Sequence, residues 1–291
     1  MTSQTSNPDL HIPTRRISFE EAIKTVPKHF AKDGDIVSSH VAAGLSAVFP
    51  DGEDFFVASV RHFRPQITDP DLKRQVSGFI GQESVHGREH RVLNDRFAEL
   101  GYPTKQIEKF TKAGLRLRFK YTPKKASLAM TAALEHFTAT LAELILSDPE
   151  ARGMFGDETV KNLFLWHALE EAEHKAVAFD VYKAAGGSER LRVFTMNMMR
   201  YGFPLGMALQ VLVSLLLDPE ARCRPRRVLK SVRRLRKSPL LSRALWLQLK
   251  DYNRPDFHPS QSGHTGLVDQ WREELFGANG TLNDKLNRTA A

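Results

Sequence analysis

The sequence is poor in cysteine, in strand-forming patterns and in repeats, and each shortage removes a class of protein. One cysteine, Cys223, excludes a disulfide framework and a thiolate metal site and makes a reducing cytoplasm the natural setting. Alternating β-branched runs closed by Asn-Gly or Asp-Gly turns are scarce, so little points to a sheet. There is no solenoid-length repeat and no low-complexity tract. Residues 1–13 lack the basic-then-apolar order of a secretory signal; residues 1–15 are expected to be a disordered lead-in. The net charge of +8 is concentrated between Arg222 and Lys237, a run without interleaved aromatics. That run offers no base-stacking platform, and nucleic acid is not expected as a partner. It reads either as a solvated helix face or as a patch meeting phosphate on a lipid surface.

What is present is helical periodicity. Apolar residues recur at spacings of three and four, predicting helices at about 18–28, 50–63, 69–100, 105–120, 124–146, 157–185 and 189–217, with shorter basic helices to about 250. Prolines and glycines fall between these stretches, at Pro65, Pro70, Gly101, Pro103, Pro123, Pro149 and Gly186. The expected fold is all-α: a ferritin-like four-helix bundle over 16–187 carrying a dinuclear metal site. Apolar and basic C-terminal helices at 188–265 pack on it, followed by a polar tail at 266–291.

Four of the helices interrupt their apolar stripes with chemistry. Leu72, Val76, Phe79, Glu83, His86, His90, Leu93 and Phe97 follow one heptad stripe whose centre is a carboxylate and two imidazoles. Val160, Phe164, His167, Glu171, His174, Ala178 and Val181 repeat the device. Glu53 sits among Phe49, Phe56, Val60 and Phe63, and Glu135 among Leu128, Ala132, Ala139 and Ala142. Four carboxylates converging in a dry core repel one another and each costs several kcal/mol to bury. A pair of divalent cations supplies the missing charge, and mixed carboxylate and imidazole donors suit iron, manganese or zinc. Glu and His three apart share a helix face, so Glu83 with His86 and Glu171 with His174 each offer two ligands to one site. Glu53 and Glu135 complete a ferritin-like arrangement, although Glu53, just after Pro50 at an expected helix start, is also favoured there by the helix dipole. His167 shares the face of Glu171 and His174 and is read as a ligand. His90 is either a ligand or a hydrogen-bond partner of one; His136, rotated about 100° from Glu135, is expected to support the site or the fold. Glu170 and Glu173 flank the ligand face, as solvent-facing groups or partners of the ligands.

These residues carry two resemblances. Gln82-Glu83-Ser84-Val85-His86, Leu134-Glu135-His136-Phe137, the run Trp166 through Lys175 with Val177 through Tyr182, and Arg254-Pro255-Asp256-Phe257-His258-Pro259 resemble the bacterial family of predicted metal-dependent hydrolases, over about residues 15 to 265. The spacing His167-x-x-x-Glu171-x-x-His174 is similar to the ligand layout of the p-aminobenzoate N-oxygenase group of di-iron enzymes. That layout implies seven ligands: Glu53, Glu83, His86, Glu135, His167, Glu171 and His174. It favours two iron ions activating O2 against a small or lipid-like substrate, an oxygenase or oxidase. The first resemblance implies instead a hydrolase using a metal-activated water, with manganese or zinc as other occupants. A non-enzymatic iron-binding role is a third reading.

Residues 201–217 carry no formal charge but fall short of the roughly 20 apolar residues of a spanning helix, and Gly202, Pro204 and Gln210 interrupt them. A buried core helix or a homodimer interface is the expected role. Peripheral membrane contact through 196–237, with the basic run on anionic lipid, is the rival.

Overall fold

The computed structural model describes residues 11–261 and 266–287. Among them the protein is all-α, with no strand and two isolated β-bridges, Ile17 with Leu286 and Ala31 with Phe155. The helices are α1 (Glu20–Ile23), α2 (Ile36–Phe63), α3 (Pro70–Glu99), α4 (Thr104–Tyr121), α5 (Lys124–Ser147), α6 (Pro149–Arg152), α7 (Glu158–His174), α8 (Val177–Ala184), α9 (Glu189–Leu217), α10 (Pro219–Cys223), α11 (Pro225–Leu235), α12 (Arg243–Asp251) and α13 (Leu267–Phe276). Side-chain caps set most starts: Asp35 accepts from Ser38 N, Asp69 from Asp71 N, Asp157 from Thr159 N and Val160 N, and Ser188 from Leu191 N. α3 stops at Gly101, whose φ of 94° suits glycine, with Tyr102 N bonded to Phe97 O at 3.0 Å.

α2 packs along α3 and α5 along α7, while α4 and α9 lie against the outside of α2. Apolar residues fill the space on both sides of the polar centre. Phe56, Val60, Val76, Phe79, Leu128 and Val181 form one core; Leu93, Phe97, Leu146, Phe164 and Trp166 form the other. The interrupted stripe of α3 passes from the first core, through Glu83, His86 and His90, into the second. The polar groups therefore lie between two dry layers.

Several expectations are corrected. The helix expected from 50 begins at Ile36, so Pro50 lies in mid-helix and Glu53 is not at a helix start. Pro50 lacks the N–H that Ser46 O would accept, and Asn94 Nδ2 supplies a substitute at 3.1 Å. The helix expected over 157–185 breaks at Lys175 and Ala176, one residue after His174, and that expected over 18–28 shrinks to α1. Residues 11–15 are packed rather than a free lead-in, with Ile12 and Arg15 buried; residues 1–10 lie outside the described residues. The expected polar tail folds back: Trp271 and Leu275 of α13 are buried, Trp271 Nε1 donates to Leu146 O at 2.9 Å, and Asn287 N donates to Arg16 O. α9 is not a buried core helix. It meets the body through Arg192, Thr195, Met196, Arg200, Val211 and Ser214, and its opposite face is exposed.

Candidate metal centre

α2, α3, α5 and α7 bring Glu53, Glu83, His86, Glu135, His167, Glu171 and His174 into one cluster, each 4% exposed or less. The donor atoms form two groups, Glu53 with His86 and His167, and Glu83 with Glu171 and His174, each within 4.8 Å of one another. Glu135 adjoins the second, its Oε2 3.4 Å from His174 Nε2. Glu171 sits between the groups. Its Oε1 is 3.1 Å from His167 Nε2, 3.5 Å from His174 Nε2 and 3.8 Å from His86 Nδ1, while Oε2 accepts the Thr138 hydroxyl proton. Gly87 lets Glu53 approach α3, because a Cβ there would stand 3.2 Å from Glu53 Oε2.

The histidines are oriented from behind, and the chemistry of their partners fixes the tautomers. Ser46 Oγ gives its proton to Asn94 Oδ1 at 2.7 Å, so it can only accept from His90 Nδ1, 2.8 Å away. Neutral His90 then has a bare Nε2, which accepts from His167 Nδ1 at 2.7 Å. The lone pair of His167 Nε2 is thereby aimed at the carboxylates. His174 follows the same rule. Gln82 spends its amide protons on Pro13 O and Glu173 Oε2, so its Oε1 accepts from His174 Nδ1 at 2.8 Å and leaves Nε2 facing Glu83 at 3.0 Å. His86 Nε2 meets Glu170 Oε2 at 3.1 Å, which leaves Nδ1 turned inward. Behind these partners Arg15 bonds both Glu170, at 2.9 Å, and Glu173, at 2.7 Å, and Arg272 reaches Glu173 at 3.0 Å.

Without a cation this arrangement is electrostatically poor. Both carboxylate oxygens of Glu53, Glu83 and Glu135 lack hydrogen bonds, as do His86 Nδ1 and His174 Nε2. Burial raises the Glu53 carboxyl well above its usual range, helped by Glu83 and Glu171. Burial likewise raises Glu83, and raises Glu135 well above its usual value. Burial pushes against ionised Glu171 too, yet the His174 and His167 imidazoles hold it well below the carboxylate range. Burial and His167 hold His86 well below an ordinary imidazole; burial opposes the charged form of His174, which Glu171, Glu135 and Glu83 nevertheless raise well above one. Burial lifts Glu170 to about 8 against the pull of Arg15. The unbonded atoms are carboxylate oxygens and imidazole nitrogens converging from four helices, which is the donor set of a divalent transition metal. The residues fit such ions.

The two histidines left open separate. His90 stands behind His167 as its hydrogen-bond partner. His136 points away, its Nε2 3.2 Å from Gln248 O and its ring against Tyr252 and Phe257. Glu170 and Glu173 are buried partners rather than solvent-facing. The Arg254–Pro259 segment lies at the outer wall: His258 Nε2 meets Asp180 Oδ1 at 2.8 Å, and Arg192 bonds the carbonyls of Tyr252 and Arg254. Ser46, Asn94, Thr138 and Arg15 do not stand out in the sequence, and Gln82 enters there only as part of the run that carries the family resemblance. Only Thr138, three residues after Glu135 on its face, carried a signal there.

Residues 13–263 match a family model described as predicted metal-dependent hydrolase. No curated protein and no solved structure was found to match the chain.

Proposed function

The chain belongs to the predicted metal-dependent hydrolase family, and we propose that its buried centre holds two divalent metal ions that serve hydrolysis of an organic substrate. One observation carries the reading: two adjoining sets of inward-facing donors flank Glu171, whose Oε1 lies within 3.8 Å of histidine nitrogens from both, and the Nδ1 protons of His167 and His174 are committed to partners behind the cluster. Glu53, His86 and His167 would hold one ion; Glu83, Glu171 and His174, with Glu135 through Oε2, the other. Bound metal supplies Lewis acidity to a carbonyl or phosphoryl oxygen and lowers the pKa of an attacking water.

The chain's own residues do the rest. The apolar layers on either side exclude bulk water, which strengthens every charge interaction between them. Ser46, Asn94 and Gln82 keep the histidine lone pairs inward without a search through tautomers. Glu135 retains a second oxygen, Oε1, that has no partner, and is the group suited to receive a proton there. The row Ser214, His40 and Asp218 has the residue types of a serine hydrolase triad, with distances of 2.6 and 3.2 Å. All three are buried, and Asp218 also bonds Lys28 and caps α10; the row anchors α9 to α2. Substrate approach is supported best beside α2, where a groove of ≈ 550 Å³ is lined by Phe55, Ala58, Leu115 and Phe119 together with Asp51, Asp54, Lys112, Arg116 and Lys120.

A second reading, oxidation by O2 at two iron ions, is favoured by a small apolar cavity of ≈ 60 Å³. Phe164 borders it and stacks edge-on against His90 at 5.5 Å, and the space suits a diatomic gas. The family description favours hydrolysis. The deciding experiment compares metal-stripped, zinc-loaded and ferrous-loaded protein against nitrophenyl esters and phosphates, in air and without oxygen. Metal-dependent hydrolysis indifferent to oxygen supports the proposal. Oxygen uptake by the ferrous protein, with no hydrolysis by any form, overturns it in favour of oxidation.

A further inference from the structure

We propose that the outer face of α9, together with α11, docks the protein flat on an anionic lipid surface. On α9, Phe194, Tyr201, Leu205, Leu209, Leu212 and Leu216 follow one another at helical spacing and are between 52% and 66% exposed. At the α-helical rise this stripe runs for about 33 Å, and no charged residue interrupts it from Tyr201 to Leu217. Contiguous exposed apolar surface of this extent marks an interaction site. α9 is long and apolar enough to cross a membrane by composition, but its other face is committed to α5 and α2: Gln210 Nε2 donates to Gly44 O at 2.9 Å, Ser214 meets His40, and Phe203 packs on Phe137 at 5.1 Å. A helix held in this way presents one side only, as an in-plane helix does.

Charge selects the occupant. Directly after α9 the chain exposes Arg222, Arg226, Lys230, Arg233, Arg236 and Lys237, which form no ion pair among the described residues. Their neighbours Arg224 and Arg227 are paired with Glu220, and Arg234 with Asp33 and Asp35. Leu229 and Val232 emerge between the free cations, so α11 presents apolar and basic groups together. Asp35, at the start of α2, takes the Ser231 hydroxyl as well as Arg234, which fixes α11 beside the body. A second copy packed α9 to α9 would cover the apolar stripe but bring no free acid of α9 to these cations. The only acid of α9, Glu189, is bonded to Lys183 and Arg192, and Glu220 is already in use. Anionic headgroups above an acyl layer complement both halves of the surface. The inference is independent of which reaction the metal centre performs.

The test is co-sedimentation of the full chain with vesicles of phosphatidylcholine, with and without phosphatidylglycerol. Binding is expected to the anionic vesicles alone and to weaken as salt rises. Each cation near an anionic surface contributes about fivefold in partitioning. The triple variant Arg226→Gln, Lys230→Gln, Arg233→Gln should therefore lose roughly a hundredfold, with an unchanged melting temperature. Leu205→Gln, Leu209→Gln, Leu212→Gln should lose binding at every salt concentration. Equal binding to both vesicle types, absence of binding, or full binding by either triple variant would overturn the proposal. So would a vesicle-free dimer that the leucine variant dissociates.

Discussion

His90 Nε2 lies 2.7 Å from His167 Nδ1, and that contact decides which nitrogen of His167 faces the buried carboxylates. Replacing His90 by Phe keeps a ring against Phe49 and Phe164 but removes the acceptor. Partners of this kind are worth about 10- to 100-fold in metal affinity. His90→Phe should lose that much in a chelator competition while still loading two ions; His136→Gln, aimed at Gln248 and Tyr252, should lose nothing. Equal affinities for both variants and the parent would show that the His90–His167 contact does not set metal affinity.

Glu171 carries the heaviest demand, because its Oε1 lies within 3.8 Å of a nitrogen from each of three histidines. Glu171→Ala should reduce the metal content of dialysed protein from two ions per chain to one or none, as measured by elemental analysis. The truncated protein should stay folded without metal, since Thr138, on the other oxygen, is free to rotate. Two ions retained at full affinity would count against a shared carboxylate.

The raised Glu53, Glu83 and Glu135 carboxyls predict the direction of proton flow. In the metal-free fold they bind protons that an unfolded glutamate, with a pKa near about 4.3, would release. Metal-free stability from these groups is thus present below that value and falls as pH rises above it. Cations remove the repulsion, so the difference in melting temperature between loaded and metal-free protein should widen with pH. Loading in weak buffer at neutral pH should acidify the solution. Loading without proton release would mean that these carboxyls were ionised beforehand.

The periodicity that reveals helices also revealed this cluster, because a carboxylate or imidazole on an apolar stripe is conspicuous. All seven residues of the cluster stand out from their own helices. What lay outside that signal comes from elsewhere in the chain. Arg15 reaches Glu173 from 158 positions away, and Ser46 reaches Asn94 across two helices, contacts that no spacing rule encodes. Pro50 misled about the start of α2, since proline usually opens helices; Asn94 compensates for its missing N–H in mid-helix. α9 misled because a helix apolar on nearly every side gives no sign of which face is buried.

His40 reports on how α9 is held. Burial pushes it down to about 4, although Asp218 on its Nε2 favours the charged form. The unfolded chain, with a histidine pKa near about 6.5, binds the proton first. The stability tied to neutral His40 is complete above that value and is lost as pH falls towards 4. A shift of this size corresponds to about 3 kcal/mol. The midpoint of urea unfolding for the metal-free protein should fall over this range, and His40→Gln should flatten the fall. An identical slope in the variant would place the acid sensitivity elsewhere.

Arg15 holds together the support behind two of the histidines. Its guanidinium, 9% exposed, contacts Glu170 and both oxygens of Glu173, and those carboxylates in turn steady His86 and, through Gln82, His174. Arg15→Met keeps most of the side-chain volume but leaves two buried acids facing each other, with only Arg272 to help Glu173. Stranding buried charge in this way costs about 3–5 kcal/mol, and the metal-free protein should lose that much in urea unfolding. Arg15→Lys should fall between, because one ammonium cannot serve both carboxylates in fork geometry. The double variant Arg15→Met, Glu173→Gln removes one of the two stranded acids and should recover part of the loss. If the two changes simply add, the guanidinium acts through packing rather than charge, and the tether it gives the histidines has to be sought elsewhere.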